Sequence, residues 1–232
     1  MLCAQCETIE GKFDAATARK KLADLQRGGP DRTTRMLLDA LREQGVAGAT
    51  LLDIGAGVGA VHQELLASGA ASGVHVDASA AYLAVAREQA TREGHATKVR
   101  FVHGDFVEVA PSLVAADVVT LDRVICCYPD VEALVGRSAE KTRRLYGAVY
   151  PRAAWWVRLG FALGNAVLRL RRSAFRIYLH APSRIDGLLT GAGFARCHLE
   201  RTLIWEVAVY RRRGRGQAAA ETAPPPARDS LT

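Results

Sequence analysis

Short runs of β-branched and apolar residues alternate with longer segments of helical periodicity along most of this 232-residue chain, beginning at Ala49. When strands alternate with helices, the strands pair in parallel, because each helical crossover returns the chain to the same end of the sheet. Strands of such a sheet are buried on both faces and consist of nearly continuous apolar runs. The sequence therefore predicts an α/β domain with a doubly wound parallel sheet.

The alternation sets the predicted order of elements. We expect strands at 50–54, 73–76, 99–102, 117–121 and 148–150, with helices at 60–67, 80–92, 131–146 and 183–190. Pro151 is expected to end the fifth strand. Two further strand-like runs, 194–201 and 203–210, follow each other directly, which is typical of an antiparallel hairpin.

Three regions surround or interrupt this pattern. Residues 1–48 are predicted to form a helical extension, since apolar residues recur at helical spacing between Thr33 and Arg42. Residues 49–210 form the predicted domain, with a helical insertion at 152–181. Residues 211–232 contain an arginine run, an alanine run and three prolines, a composition that favours a disordered tail.

Composition limits the class of protein. Apolar residues make up 49% of the chain and charged residues 24%, which excludes a fully disordered, collagenous or polytopic membrane protein. Five cysteines are too few and too scattered for a disulfide-rich secreted scaffold, and the first residues lack the pattern of a secretion signal. We therefore expect a cytoplasmic protein with reduced thiols.

A glycine-rich segment follows the first predicted strand, in the order Asp53, Gly55, Gly57 and Gly59. Glycines at a strand-to-helix turn permit positive φ angles and a close approach of a ligand to the backbone. The third glycine comes one position earlier than in the usual dinucleotide-binding motif. Asp53 would repel a pyrophosphate and attract an ammonium group, so the segment favours a cationic ligand over a nicotinamide or flavin dinucleotide.

Acidic residues also follow the second and third predicted strands. Asp77, followed by Ala78, lies where a carboxylate can accept hydrogen bonds from both ribose hydroxyls. Asp105 and Phe106 offer a carboxylate for an exocyclic amine and a ring for a purine face. Ligands of open α/β sheets bind outside the carboxyl ends of the strands, where all of these groups are expected.

Together these motifs resemble those of the class I S-adenosylmethionine-dependent methyltransferases, over about residues 49–210. The resemblance implies a Rossmann-like, seven-stranded sheet with its last strand antiparallel, and S-adenosylmethionine (SAM) as cofactor. The resemblance also implies which residues hold each part of the cofactor. The methionine portion is assigned to Asp53, Gly55, Gly57 and Gly59, the ribose to Asp77 and Ala78, the adenine to Asp105 and Phe106, and the region of the methyl group to Leu121, Asp122 and Arg123.

The methyl acceptor is less well defined by sequence. The segment from Asp122 to Pro129 lacks the N/D-P-P-Y/F motif of amino-methylating nucleic-acid enzymes and the Pro-Cys pair of cytosine C5 enzymes, which disfavours nucleic acid. A small-molecule acceptor is therefore expected. Asp122, Tyr128 and His180 are the candidate catalytic residues, should the acceptor need a base.

Basic residues are concentrated in one part of the chain. Ten of them, and no acidic residue, lie between Lys141 and Arg184 in a chain of net charge +7. On a helix over 155–172, Arg158, Asn165, Arg169 and Arg172 share one stripe and the rest is mostly apolar. This helix is interpreted as a lid over an apolar substrate, as a peripheral membrane contact through 153–172, or as an extra packed helix.

An apolar insertion that carries arginines is similar to the magnesium-protoporphyrin O-methyltransferase branch of the family. We therefore expect a small, apolar and anionic acceptor, with O-methylation favoured. One alternative is a catalytically silent cofactor-binding module whose basic surface holds a partner or nucleic acid. Another is a thiol-dependent metalloid methyltransferase that uses Cys3, Cys6, Cys126 and Cys127, although no metal site is predicted.

Overall fold

The computed structural model describes Thr8, Gly11 and residues 14–214. Its N-terminal part contains two helices, α1 (Ala15–Gly28) and α2 (Arg32–Glu43). Each begins at an aspartate, Asp14 or Asp31, whose carboxylate accepts a hydrogen bond from a backbone N–H of the first turn. Helix α2 contains the helical segment predicted over 33–42, and it buries three leucines, Leu37, Leu38 and Leu41, against the rest of the protein.

The predicted alternation of strands and helices follows, with one short helix, α5 (Phe106–Val109), that the sequence did not predict. The other elements are β1 (Thr50–Ile54), α3 (Ala60–Ala67), β2 (Ser72–Asp77), α4 (Ala80–Arg92), β3 (Val99–His103) and β4 (Ala116–Asp122). The four strands pair in parallel, and each lies within one residue of its predicted bounds at either end. Apolar runs bounded by turn residues were sufficient to locate them, because β1, β2 and β4 are buried over most of their length, although the edge strand β3 exposes Arg100 and His103.

The boundary between the next two elements differs from the prediction. Helix α6 (Val131–Glu140) ends six residues before the predicted end at Tyr146, and β5 (Thr142–Pro151) begins immediately after it. The helix prediction for 141–146 is therefore wrong. Buried Leu145 and Tyr146 continue the apolar pattern of the helix, but they belong to a central strand in which nearly every residue is buried. Pro151 is the last residue of β5.

The C-terminal part contains α7 (Trp155–Leu170), α8 (Pro182–Gly191), β6 (Phe194–Arg201) and β7 (Trp205–Arg212). Helix α7 lies in the predicted insertion. Strand β7 continues two residues beyond the boundary predicted at Tyr210, and residues 215–232 of the predicted tail lie outside the described residues. Within the described ranges, no helix has both the length and the apolar character needed to cross a membrane.

The seven described strands form one sheet in the order β3-β2-β1-β4-β5-β7-β6. Strand β7 runs antiparallel to both of its neighbours, β5 and β6. The predicted Rossmann-like, seven-stranded class I methyltransferase fold, with an antiparallel last strand, is thereby confirmed. Since β1 to β5 are parallel, their carboxyl ends all lie at one edge of the sheet, and the β6–β7 turn (202–204) lies at this edge too.

Apolar layers cover both faces of the sheet. On one face, Leu52, Leu121 and Tyr146 pack with α6 and α8. On the other face, Leu51 and Leu145 pack with α2 and α3. Adjacent residues of a strand point to opposite faces, so Leu51 and Leu52 contribute to different layers.

Candidate active site

A cavity of about 370 Å³ opens at the carboxyl edge of the sheet, between the ends of β1, β2 and β4 and the segment that follows β3. Ten of the predicted site residues line it. These are Asp53, Gly55, Gly57, Asp77, Ala78, Asp105, Phe106, Asp122, Arg123 and Tyr128. The parallel sheet thus brings together residues separated by up to 75 positions in the sequence.

The three glycines of the β1–α3 turn have different surroundings, although all have positive φ. A side chain at Gly57 would meet no atom within 4 Å, whereas a Cβ at Gly55 would lie 2.6 Å from Val124. A Cβ at Gly59 would lie 2.6 Å from the ring of His62, and Gly59 does not line the cavity. Gly57 is therefore the glycine that leaves room for a ligand, while Gly59 leaves room for His62.

Asp53 is almost completely buried beneath this turn. Its carboxylate accepts a hydrogen bond of 2.7 Å from the hydroxyl of Thr120, and its other oxygen lies 3.0 Å from Nδ1 of His62. These contacts hold the carboxylate in one orientation at the wall of the cavity. The sequence predicted the acid but gave no sign of its histidine partner.

Asp77, at the end of β2, is also buried and accepts two backbone hydrogen bonds. The N–H groups of Gly57 and Ser79 each donate to one of its oxygens, at 2.8 Å. Burial raises the pKa of Asp77 to about 6, although both hydrogen bonds act in the opposite direction. The carboxylate therefore ties the glycine turn to β2.

Asp105 and Tyr128 interact across the cavity. The Tyr128 hydroxyl donates to the Asp105 carboxylate, with both oxygens 3.0 Å away, and Asp105 also caps α5 through the N–H of Val107. Phe106 lies beside them and is buried. Tyr128 lines the cavity as predicted, but its hydroxyl is engaged in positioning Asp105.

Asp122 and Arg123 form a network with α2 at the end of β4. Asp122 accepts hydrogen bonds from the Thr34 hydroxyl at 2.5 Å and from Nε of Arg123 at 3.1 Å. Burial raises the pKa of Asp122, while Arg123 opposes this shift. Arg123 also pairs with Asp31 and has a φ of +61°, a conformation that is strained for a residue with a side chain.

Two thiols lie close to this network. Cys127 lines the cavity, and its Sγ atom lies 3.8 Å from that of buried Cys126. Their hydrogen bond, together with burial, raises the pKa of Cys126, which keeps it a thiol at neutral pH. No cluster of three or more metal-ligating side chains occurs among the described residues. Cys3 and Cys6 lie outside them.

Two of the predicted site residues, Leu121 and His180, do not line the first cavity. Leu121 is fully buried in the core of the sheet. His180 lies in a second cavity of about 350 Å³, between α7 and the segment that precedes α8. Its Nε2 lies 2.9 Å from the carbonyl oxygen of Tyr128, so the walls of the two cavities meet at this hydrogen bond.

The structure adds residues to the first cavity that the sequence prediction did not include. Lys21 reaches it from α1, and Val58, Tyr82 and Val124 complete its wall. Tyr82 could have been found, because it lies in the first turn of the helix that follows Asp77. Lys21 could not, since nothing in the local sequence indicates that α1 packs beside the sheet edge.

Residues 51–144 match a family model described as a methyltransferase domain. The chain carries a methyltransferase domain. The matched range contains every residue that lines the first cavity apart from Lys21. The family match and the fold together confirm the predicted enzyme class, a class I SAM-dependent methyltransferase.

Solved structures with the same fold are similar to most of this chain. Magnesium protoporphyrin IX methyltransferase from Synechocystis PCC 6803 with bound SAH has a TM-score of 0.70 at 15% identity, covering 90% of this chain and 100% of that one. The same enzyme with bound SAM gives 0.67 at 16% identity, covering 91% and 98%. An O-methyltransferase family 2 protein from Planctomyces limnophilus in complex with apigenin gives 0.57 at 18%, covering 80% and 63%. No curated protein sequence matches the chain.

Proposed function

We propose that the first cavity holds SAM, and that the enzyme transfers its methyl group to a small apolar molecule that carries a carboxylate. The open space at Gly57 fits the close approach of the methionine portion to the backbone. Asp77 provides an acceptor for ribose hydroxyls, and Asp105 with Phe106 a carboxylate and a ring for adenine. The strands that carry or precede these residues are neighbours in the order β1, β2, β3, which matches the order of methionine portion, ribose and adenine in the cofactor.

The observation that carries the acceptor proposal is the second cavity. Phe161, Ile177 and Leu179 give it an apolar lining, and Arg158 contributes a guanidinium. A guanidinium binds a carboxylate through two parallel hydrogen bonds. Since this cavity adjoins the first at Tyr128 and His180, an acceptor held there would lie next to the methyl end of the cofactor.

The proposed transfer needs little acid–base chemistry. SAM supplies an electrophilic methyl group. A carboxylate acceptor is already ionised near neutral pH, so no side chain has to remove a proton. Asp122 and Tyr128 are engaged in hydrogen bonds with Arg123 and Asp105, which suits positioning better than proton transfer. The protein contributes chiefly by aligning the acceptor with the methyl group, an effect that can lower a barrier by about 7–11 kcal/mol.

Two alternatives from the sequence remain predictions. A silent cofactor-binding module would hold SAM without turnover, and a metalloid methyltransferase would require thiols beyond Cys126 and Cys127. The cytoplasmic location also remains a prediction. The experiment below separates a silent module from an enzyme, because it measures cofactor binding and methyl transfer independently.

The test combines calorimetry with SAM and transfer of a labelled methyl group. The acceptors are magnesium protoporphyrin IX, its dimethyl ester and apigenin, which offer carboxylates, blocked carboxylates and phenols. We expect transfer to the free carboxylate alone. Substituting Arg158→Gln should raise the KM for that acceptor about ten- to hundredfold, the loss of a charged hydrogen bond, with unchanged affinity for SAM.

Arg169→Gln is the matched control, because Arg169 is exposed on the same helix and does not line the second cavity. It should behave as wild type. Transfer to apigenin that is insensitive to Arg158→Gln would contradict the carboxylate proposal. Binding of SAM without transfer to any of the three, or to any molecule of a cell extract, would favour the silent module.

A further inference from the structure

Helix α7 leaves a broad apolar surface uncovered by the described residues. Trp155 is 72% exposed, Leu163 59% and Leu170 85%, and Leu203 of the β6–β7 turn is 71% exposed. Steps of three and four residues place the helical members on one side of α7. The surface, called here the α7 apolar face, consists of Trp155, Trp156, Leu159, Leu163, Val167, Leu170, Leu203 and Ile204.

This exposure results from how α7 is attached to the domain. The opposite side of the helix carries Val157, which is buried, and Asn165, which is partly buried. The side-chain amide of Asn165 exchanges two hydrogen bonds with the backbone of Ile177, at 2.8 and 3.0 Å. At its first turn, Nε1 of Trp156 donates to the carbonyl oxygen of Leu203 at 3.1 Å. The helix is therefore fixed at both places with its apolar face outward, and the β6–β7 turn continues that face.

The charges on helix α7, which carries most of the α7 apolar face, and directly after it have one sign. Arg169 borders the face on the helix, and Arg171 and Arg172 follow the last turn. None of these three arginines forms an ion pair within the described part of the chain. Between Lys141 and Arg184 the sequence contains no acidic residue that could neutralise them.

A second copy of the chain is a poor partner for this face. A symmetric dimer brings the same patch of both subunits together, so the arginines that flank one helix would approach those of the other. An anionic bilayer surface has the opposite charge and an apolar interior. Tryptophan rings are enriched at the boundary between these two zones, and the face contains two exposed tryptophans, Trp155 and Trp156.

We propose that the α7 apolar face lies in the interface of an anionic membrane, with its arginines against the lipid headgroups. Apolar side chains on one side of a helix, bordered by arginines and including tryptophan, are typical of helices that lie in the plane of a bilayer surface. The proposal does not depend on the acceptor proposed above, since it rests on the outer side of α7 and not on the second cavity.

The test is sedimentation of the full chain with vesicles of phosphatidylcholine alone or mixed with phosphatidylglycerol. We expect binding to the mixed vesicles that weakens as salt is added, because each arginine near the surface contributes an electrostatic attraction. Leu163→Glu should weaken binding about tenfold or more, the loss expected for one buried leucine. Arg169→Ala should weaken it about fivefold.

Val114→Glu is the matched control, since Val114 is 72% exposed but lies before β4, at the opposite edge of the sheet. It should bind vesicles as wild type does. Calorimetry with SAM and circular dichroism on each variant verify folding and report the cofactor site separately. A failure of vesicle binding with normal affinity for SAM would refute the membrane contact alone.

Three results would overturn the proposal. The first is no binding to mixed vesicles, and the second is equal loss of binding in Val114→Glu and Leu163→Glu. The third is a concentration-dependent dimer that Leu163→Glu dissociates, in a protein that does not bind vesicles. That result would assign the face to a second copy of the chain.

Discussion

Gly57 is the residue of the glycine turn whose replacement tests the cofactor site most directly. A valine there would project into the cavity, where no atom now lies within 4 Å, and we expect Gly57→Val to abolish SAM binding. Gly94 provides the control, because it also has positive φ, +73°, and open surroundings, but lies in the turn after α4. Gly94→Val should carry the same backbone strain and bind SAM normally in calorimetry.

Comparable losses in both variants would mean that backbone strain, and not occupation of the cavity, impairs binding. Wild-type affinity for SAM in Gly57→Val would contradict the assignment of the methionine portion of the ligand to this turn.

The proposed contact of Asp77 with the ribose predicts that cofactor affinity depends on pH. With a pKa raised to about 6, Asp77 is largely ionised at pH 7.5 and protonated at pH 5, and only the carboxylate accepts hydrogen bonds from two ribose hydroxyls. We expect affinity for SAM to fall about tenfold between pH 7.5 and pH 5, as the ionised fraction of Asp77 falls. Calorimetry across this range measures the change, and Asp77→Asn should bind weakly and show no such dependence.

The same shift affects the stability of the free protein in the opposite sense. Because the folded-state pKa lies above the ordinary value of 3.8, folding favours the protonated carboxyl, and ionising Asp77 lowers stability as the pH rises from 4 to 6. Because SAM is expected to bind more tightly at pH 7.5 than at pH 5, bound SAM should stabilise the protein more at pH 7.5. An affinity in Asp77→Asn equal to that of wild type at pH 7.5 would contradict the ribose assignment.

At the scale of single elements, the contact between α2 and β5 explains why a glycine lies in a central strand. A Cβ at Gly147 would lie 2.9 Å from Leu37 and 3.4 Å from Leu41, both on α2. Gly147→Ala should therefore overpack this contact and reduce the free energy of unfolding in urea by about 1–3 kcal/mol. The glycine lets a helix from the N-terminal part lie directly on the sheet.

Gly136 in α6 is the control for this substitution. A Cβ there would meet no atom within 4 Å, and the residue lies inside a helix, so Gly136→Ala should increase stability by up to about 1 kcal/mol. If Gly147→Ala also stabilised the protein, the packing of α2 on β5 would be looser than these distances indicate.

The limits of the element prediction have a physical cause at the α6–β5 junction. In β1 to β4, turn residues separate each strand from the next helix, and periodicity located the four strands and the starts of α3, α4 and α6, but not the short α5. Between Glu140 and Thr142 only Lys141 intervenes, and the Thr142 hydroxyl still donates to the carbonyl oxygen of Ser138 in the helix. A buried strand without alternation continues the apolar pattern of a helix, so its start depends on pairing with β4 and β7, which local sequence does not contain.

At the scale of the whole molecule, the parallel sheet explains how much of the site was predictable. Ten predicted residues line one cavity because each lies at or after the carboxyl end of a strand, and these ends share one edge of the sheet. Contacts made by distant segments were not predictable. Lys21 at the cavity, the pairing of Asp31 with Arg123, and the second cavity depend on how the N-terminal helices and α7 pack, which no local motif encodes.

The antiparallel direction of β7 has a further consequence for how the enzyme would meet its substrate. Because β7 runs antiparallel to β5, it begins at the edge where the first cavity opens, and the β6–β7 turn lies at this edge. A membrane surface in contact with that turn and with α7 would therefore face the proposed reaction centre. A lipid-soluble acceptor would then reach the enzyme by lateral diffusion within a film, and its effective concentration would be set by the amount of lipid rather than by the volume of the solution.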